Sequence, residues 1–154
     1  MGSVLSVGVD TSEIDFTVEK EDWNVYELDD KTILRIRPIL LKLLKTLAPA
    51  GLGKGTAFGV VAQNLVVVRA SPDRRGQPST GPHPPEIMER ATKTKVGFNE
   101  KKWVWNSYIL PDNVRLKIRL VVTSVVRVEG LFDPFGNPIY RVSSDNVTAR
   151  EPVS

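Results

Sequence analysis

The amino-acid sequence predicts an all-β protein made of two tandem small-barrel or meander repeats, related by pseudo-twofold symmetry, with a short helix in the linker between them. Two segments resemble each other at a constant offset, both alternate apolar and polar residues as strands do, and a proline-rich stretch separates them. Of the 154 residues, 41% are hydrophobic and 25% are charged, which is typical of a folded globular protein. We divide the chain into an N-terminal arm (1–13), a first repeat (14–70), a linker (71–95) and a second repeat (96–152).

The internal repeat is clearest when residues 23–37, WNVYELDDKTILRIR, are placed above residues 105–119, WNSYILPDNVRLKIR. Eight of the fifteen positions are identical at an offset of 82 residues. The same offset, without a gap, aligns Phe16 with Phe98, Phe58 with Tyr140, Val60 with Val142 and Asn64 with Asn146. Because one register holds over so long a stretch, we interpret the chain as an internal duplication.

Each repeat reads as a three-stranded meander that begins with a short alternating strand, Trp-x-x-Tyr-x-Leu. A tight turn follows, at residues 29–31 in the first copy and 111–113 in the second. Pro111 presets the first corner of a type I turn, and Asn113 tolerates the left-handed conformation that closes a three-residue hairpin.

The second strand of each repeat is long. In the second copy, residues 114–128 are rich in valine and threonine, which favour strands. The aligned segment LLKLLKTL (40–47) also fits an amphipathic helix, so a helical turn near Leu43 is the alternative to a strand there. Doubled apolar pairs break the strict alternation and predict a bulge or bend; they are Leu40-Leu41, Leu43-Leu44, Val121-Val122 and Val125-Val126.

A turn-forming loop leads to the third strand in both copies, GLGKGT in the first and FDPFGNP in the second. Between the repeats, residues 71–85 contain five prolines and read as an exposed linker. Residues Pro85 to Thr94 predict a short helix, since proline and glutamate suit a first helical turn.

One segment resembles a phosphate-binding loop: residues 48–56 read APAGLGKGT. Such a loop holds phosphates with backbone N–H groups and a lysine at a helix N-terminus. Here Ala48 replaces the first glycine, a strand-like segment follows, and the second repeat has no equivalent loop. We therefore expect no nucleotide cofactor, and we rank a nucleotide-binding enzyme third among the functions.

Other catalytic and metal sites are not expected either. Asp30 and Asp112 repeat, and either form a shared carboxylate pair or build their hairpin turns; turn formation is the favoured interpretation. The chain has no cysteine, and its one histidine, His83, lies in the linker, so no metal site or nucleophilic triad is predicted. We predict a non-enzyme without cofactor or evident small-molecule substrate. A cytoplasmic protein without a membrane segment is expected, because the apolar stretches are short and the N-terminus lacks a signal pattern.

A ladder of basic residues is the candidate nucleic-acid-binding feature; the candidates are Arg35, Arg37, Arg115, Lys117, Arg119 and Trp103. Cations beside aromatic rings on a small barrel suit single-stranded nucleic acid, and the net charge is +3. The alternative is a solvated strand face neutralised by nearby acidic residues. In that interpretation Trp23, Trp105 and the repeat tyrosines are core residues.

Self-assembly is the first-ranked function. A meander leaves edge strands, and an apolar edge such as Leu65 to Val68 must be paired or covered. We therefore predict a non-catalytic assembly or protein-binding module, as a homo-oligomeric structural subunit. A nucleic-acid or ribonucleoprotein-binding module is the second-ranked function.

Overall fold

A computed structural model describes residues 11–47 and 56–153, and almost all of its regular structure is strand, so the prediction of an all-β fold is confirmed. The elements are β1 Thr11–Ile14, β2 Thr17–Lys20, β3 Asn24–Leu28, β4 Ile33–Leu47, β5 Thr56–Arg69, a 3₁₀ turn Pro72–Arg74, α1 Pro85–Arg90, β6 Lys93–Lys95, β7 Phe98–Lys102, β8 Asn106–Leu110, β9 Val114–Phe132 and β10 Pro138–Pro152. The linker helix is present but ends at Arg90, because strand β6 takes up residues expected to be helical.

The strands form two antiparallel five-stranded sheets. In the first sheet, β4 pairs with β5 on one side and with β3 and β1 on the other, and β7 lies beyond β3. In the second sheet, β9 pairs with β10 on one side and with β8 and β6 on the other, and β2 lies beyond β8. Each sheet thus contains one short strand from the opposite half of the chain.

The expectation of small barrels is not met, since no closed barrel is found within the ranges 11–47 and 56–153. The pairing explains this outcome. β7 extends the first sheet beyond β3 and β2 extends the second beyond β8, whereas β5 and β10 are each paired on one side only. Both sheets consequently stay open.

The segment LLKLLKTL belongs to β4, so the helical alternative near Leu43 is wrong. A bulge at Leu41 explains the helix-like spacing: Leu40 pairs with Ala62 and Lys42 with Val61, which leaves Leu41 as the extra residue. The extra residue resets the alternation, so that both Leu40 and Leu43 are buried. In β9 the extra residue is Thr123, at the same offset of 82, with Val122 and Val125 buried on either side. The predicted bulge is confirmed at Leu40-Leu41, and in β9 it lies at Thr123, directly after the predicted pair Val121-Val122.

The interior consists of two apolar clusters, and each draws on both halves of the chain. The first cluster contains Tyr26, Leu28, Leu34, Ile36, Val96, Leu120, Val122 and Val125. The second cluster contains Leu40, Leu43, Tyr108, Leu110, Leu116 and Ile118. Because β4 and β9 each run through both clusters, neither cluster is complete without both repeats.

The two hairpin turns adopt the predicted geometry. Lys31 and Asn113 have φ values of 71° and 57°, in the left-handed region. In the first turn, the Leu28 N–H donates to the Thr32 carbonyl and the Lys31 N–H to the Leu28 carbonyl, both at 2.8 Å. The left-handed residue expected from Asn113 is therefore present in both copies.

The linker is anchored on the β9–β10 loop rather than free along its length. The Gly76 N–H donates to the Gly136 carbonyl (2.9 Å), and His83 Nε2 lies 2.7 Å from the Phe132 carbonyl oxygen. A Cβ at Gly76 would overlap the Phe132 ring, so a larger residue here would displace that ring. These contacts fix the course of residues 76–83 over the hairpin.

Candidate interaction surfaces

The predicted basic residues lie on two sheets instead of one continuous ladder. Arg35 and Arg37 belong to β4 in the first sheet, whereas Arg115, Lys117 and Arg119 belong to β9 in the second. Four of these five cations, Arg35, Arg37, Lys117 and Arg119, lie over an aromatic ring at a distance that permits cation–π attraction. The ring-centroid distances are 4.9 Å from Arg35 Cζ and 5.9 Å from Arg37 Cζ to Trp23, 5.0 Å from Lys117 Nζ to Trp105, and 3.9 Å from Arg119 Cζ to Trp103.

Four of these five cations already have carboxylate partners. The ion pairs are Arg37–Glu21 (3.3 Å), Arg115–Glu19 (2.7 Å), Arg115–Glu151 (2.9 Å), Lys117–Glu151 (3.0 Å) and Arg119–Glu100 (3.2 Å). The hydrogen bond from Arg115 lowers the pKa of Glu19 to about 2, and the contacts with Glu19 and Glu151 raise the pKa of Arg115. A phosphate would have to compete with these carboxylates, which weakens the case for a nucleic-acid surface here.

Arg35 differs from the other four. It is exposed, and no carboxylate in the described ranges forms a salt bridge with it. It lies opposite Val67 in β5, and together with Ile33 and Arg69 these residues line a small pocket. At the position 82 residues after Arg69, the second half carries Glu151, the acid that neutralises its own cations. The first sheet therefore has a basic residue, Arg69, at the position where the second sheet has Glu151.

The tyrosines and tryptophans of the repeat occupy opposite faces. Tyr26 and Tyr108 are fully buried, as predicted, and the Tyr108 hydroxyl donates to Glu21 Oε2 at 2.6 Å. The interpretation of Trp23 and Trp105 as core residues is wrong, because both are only partly buried and lie beneath cations. In the pattern Trp-x-x-Tyr the two aromatics are three positions apart, and in a strand such residues point to opposite faces. Next to each tryptophan, the residue that is fully buried is the following asparagine, Asn24 or Asn106.

Asp30 builds its hairpin turn, as the favoured interpretation predicted, and its carboxylate also binds residues of the second half of the chain. Oδ1 accepts from the Thr32 N–H (3.0 Å), while Oδ2 accepts from the Tyr140 hydroxyl (2.6 Å) and Arg127 Nη1 (2.8 Å). Asp112 is exposed and does not join it, so no carboxylate pair forms. Sequence reasoning missed this cluster, because Arg127 is 97 residues from Asp30 and no short motif connects them.

The outer side of β5 is the most apolar open edge in the structure. Within the described ranges β5 pairs only with β4. Its exposed apolar side chains, with their exposed fractions, are Val61 (41%), Leu65 (37%), Val66 (45%) and Val67 (40%). In the segment predicted to be an apolar edge, Val68 differs by packing against the first core cluster.

Among the residues that the structure describes, β10, the counterpart of β5, is also paired on one side only, but its surface is polar. Its one large exposed apolar residue is Val147, and it carries Arg141, Asp145, Arg150 and Glu151. Charged side chains along an edge oppose pairing with another chain. The two edges are therefore not equivalent, and β5 is the one suited to pairing.

The nucleotide-loop lookalike at residues 48–55 lies outside the described residues, and Thr56 after it begins strand β5 rather than a helix. In the portion of the chain that the structure covers, no helix is long and apolar enough to cross a membrane. Comparison of the chain with protein-family models, with curated proteins and with solved structures gave no match.

Proposed function

We propose that this protein is a non-catalytic assembly module that associates with copies of itself through the β5 edge. One observation carries the proposal: a 14-residue strand has no partner on its outer side among the described residues, and four of its apolar side chains are exposed. Unpaired backbone groups beside apolar side chains form a template for adding a strand, and natural proteins normally block such edges.

Pairing of two β5 strands in antiparallel fashion is the arrangement that suits this edge. It presents the same surface from each copy, as a twofold dimer requires. The two first sheets then join into one continuous sheet, and the exposed residues of β5 lie beside their equivalents. The polar β10 edge is excluded from such pairing by its charges.

We also propose that the two repeats are related by a pseudo-twofold axis. Reciprocal contacts at an offset of 82 support it: Asn24 Oδ1 accepts from the Val104 N–H (3.0 Å), and Asn106 Oδ1 accepts from the Asp22 N–H (2.9 Å). Asn64 Oδ1 accepts from Asn146 Nδ2 at 3.3 Å, which brings two aligned residues together as residues near such an axis would be.

The test is the double substitution Leu65→Glu with Val67→Glu. Leu65 pairs with Arg37 and Val67 with Arg35, so each new carboxylate faces an arginine across the strands and the monomer fold is retained. In a β5–β5 dimer the same carboxylates face each other and repel. Val147→Glu is the matched control, because Val147 pairs with Arg119 in the corresponding position of the second half.

Sedimentation velocity at several protein concentrations measures the outcome. We expect the unmodified chain and Val147→Glu to have the same oligomeric mass, and Leu65→Glu/Val67→Glu to have a smaller mass while keeping its circular dichroism spectrum. The β5 interface is refuted if the unmodified chain is monomeric at high concentration, or if the double variant keeps the mass of the unmodified chain.

Nucleic-acid binding is the second candidate, and Arg35 is the observation that favours it. Its guanidinium lies over Trp23 without a carboxylate partner among the described residues, so it is available to a phosphate beside an aromatic ring. Fluorescence anisotropy with a labelled single-stranded RNA tests this function. Binding that weakens steeply with salt, and disappears when Arg35, Arg37, Arg115, Lys117 and Arg119 are replaced by alanine, supports it. If binding survives the replacement, these five basic residues are not its cause.

A further inference from the structure

A phenylalanine is presented to solvent at the tip of the β9–β10 hairpin. Phe135 is 76% exposed, the highest value among the large apolar side chains of the described residues. The loop around it is tightly built: Asp133 Oδ1 accepts from the N–H groups of Phe135 (2.8 Å) and Asn137 (2.9 Å), and Gly136 has a φ of 86°. The ring is therefore held out on a defined turn.

Contacts from outside the hairpin fix this turn further. The linker residue Gly76 donates to the Gly136 carbonyl, and Asn137, which is 4% exposed, accepts from the Ala70 N–H at 3.0 Å. Binding through a preorganised group loses little conformational entropy. An exposed aromatic ring held in this way has the properties of an interface anchor.

An apolar groove lies beside the same turn. It is formed where the linker and α1 meet the hairpin, and its apolar lining consists of Pro82, Met88, Phe132, Pro134 and Ile139. The acid in the lining, Asp133, is already engaged by the turn. The groove thus favours an uncharged apolar occupant.

We propose that the occupant is Phe135 of a second copy of this chain. The exposure of Phe135 shows that the ring does not fill the groove of its own chain, although Pro134, its neighbour, lines that groove. A twofold axis between two hairpin tips lets each ring enter the groove of the other copy. Ring and groove match in chemistry, and both lie on one small surface, as an interface of identical patches requires.

This surface is separate from the β5 edge, so the inference goes beyond the proposed function. A chain with two such interfaces, each with its own twofold axis, builds assemblies larger than a dimer. The β5 edge and the hairpin tip then contribute independently to the mass of the assembly.

Sedimentation velocity on four full-length chains tests the inference: the unmodified chain, Phe135→Ser, Leu65→Glu/Val67→Glu, and the triple variant. We expect the unmodified chain to form an assembly larger than a dimer and the triple variant to be a monomer. Phe135→Ser and Leu65→Glu/Val67→Glu should each form a dimer, through the β5 edge in the first case and through the hairpin tip in the second. Truncating a central aromatic anchor raises the dissociation constant of its interface by about 30-fold or more. Ile87→Ser is the control, because Ile87 is 47% exposed on α1 but does not line the groove, and it must leave the mass unchanged.

A mixing experiment identifies the occupant. In the Leu65→Glu/Val67→Glu background, a Phe135→Ser chain keeps the groove without the ring, and a Met88→Glu chain keeps the ring without the groove. We expect each to be monomeric alone and the mixture to form a heterodimer through the one remaining ring–groove contact. A mixture without heterodimer overturns the proposal.

The two proposals fail in distinguishable ways. If Phe135→Ser keeps the mass of the unmodified chain while the β5 variant is monomeric, the hairpin inference is overturned and the proposed function stands. If Phe135→Ser is monomeric and the β5 variant keeps the mass of the unmodified chain, the β5 interface is refuted and the hairpin inference stands. If Phe135→Ser changes only co-sedimentation with phosphatidylcholine vesicles, the ring is a membrane contact and the inference is overturned.

Discussion

At the scale of single residues, the cluster around Asp30 shows how one half of the chain fixes the other. The Asp30 side chain is 3% exposed and the Arg127 side chain 12% exposed, and Arg127 also pairs with Glu129 at 2.9 Å. Three donors, including the Tyr140 hydroxyl, satisfy the Asp30 carboxylate. The residue aligned with Tyr140 is Phe58 of the first half, so a cluster around Asp112 would lack the hydroxyl. Aligned residues thus perform different tasks.

We predict that Asp30→Ala destabilises the protein by about 3 kcal/mol, because it leaves the partly buried Arg127 and Tyr140 without their shared acceptor. Asp112→Ala is the matched control at the aligned position. It is exposed, and its replacement is expected to change the free energy of unfolding by less than about 0.5 kcal/mol. Urea denaturation measures both values, and equal losses in the two variants would contradict the assigned role of the cluster.

The same carboxylate gives a pH dependence with a defined sign. Burial raises the pKa of Asp30, but the hydrogen bonds from Tyr140, Thr32 and Arg127 outweigh it, so the folded-state pKa lies below 3.8. The stabilisation is therefore present above about pH 4 and is lost as the pH falls through the folded-state pKa. We expect the difference in unfolding free energy between the unmodified chain and Asp30→Asn to be constant near neutral pH and to shrink below pH ~4. A difference that grows in acid would refute the sign.

At the scale of elements, the sequence predicts where the strands are better than it predicts which strands pair with each other. The repeat identifies the meander strands, and the valine-rich second copy correctly assigns LLKLLKTL to a strand. The exchange of β2 and β7 between the sheets is beyond this reasoning, because alternation determines which face of a strand is buried and not which strand lies beside it. The partners of the basic residues are equally non-local, since Glu19 and Arg115 are 96 residues apart. The apolar edge at Leu65 to Val68 was predictable, because the last strand of a meander has a partner on one side only.

The first hairpin turn carries a lysine where its counterpart has an asparagine. Lys31 adopts a φ of 71°, which a side chain with a Cβ tolerates poorly, whereas glycine adopts it freely. Relief of that strain exceeds the entropy that glycine adds to the unfolded chain, so we predict that Lys31→Gly raises the unfolding free energy by about 0.5 kcal/mol. Lys31→Ala keeps the strain and is expected to give no gain. Thermal denaturation of the two variants side by side decides the point.

At the scale of the whole molecule, the long strands make one cooperative unit of two clusters. β4 contributes Leu34 to the first cluster and Leu43 to the second, with the bulge at Leu41 between them. β9 does the same with the order reversed, since Leu116 lies in the second cluster and Val125 in the first. Opening either cluster exposes strands on which the other depends.

This arrangement predicts a single unfolding transition for the two repeats together. Leu34→Ala and Leu116→Ala remove aligned leucines that are 0% and 2% exposed, one from each cluster, and each is expected to cost about 2–5 kcal/mol. Both variants should shift the whole transition, so that tyrosine and tryptophan fluorescence and circular dichroism report one midpoint. If the repeats were independent, Leu116→Ala would split the curve and leave half of the signal at the original midpoint. Coincident, equally displaced curves in both variants would instead show that strand exchange couples the two halves.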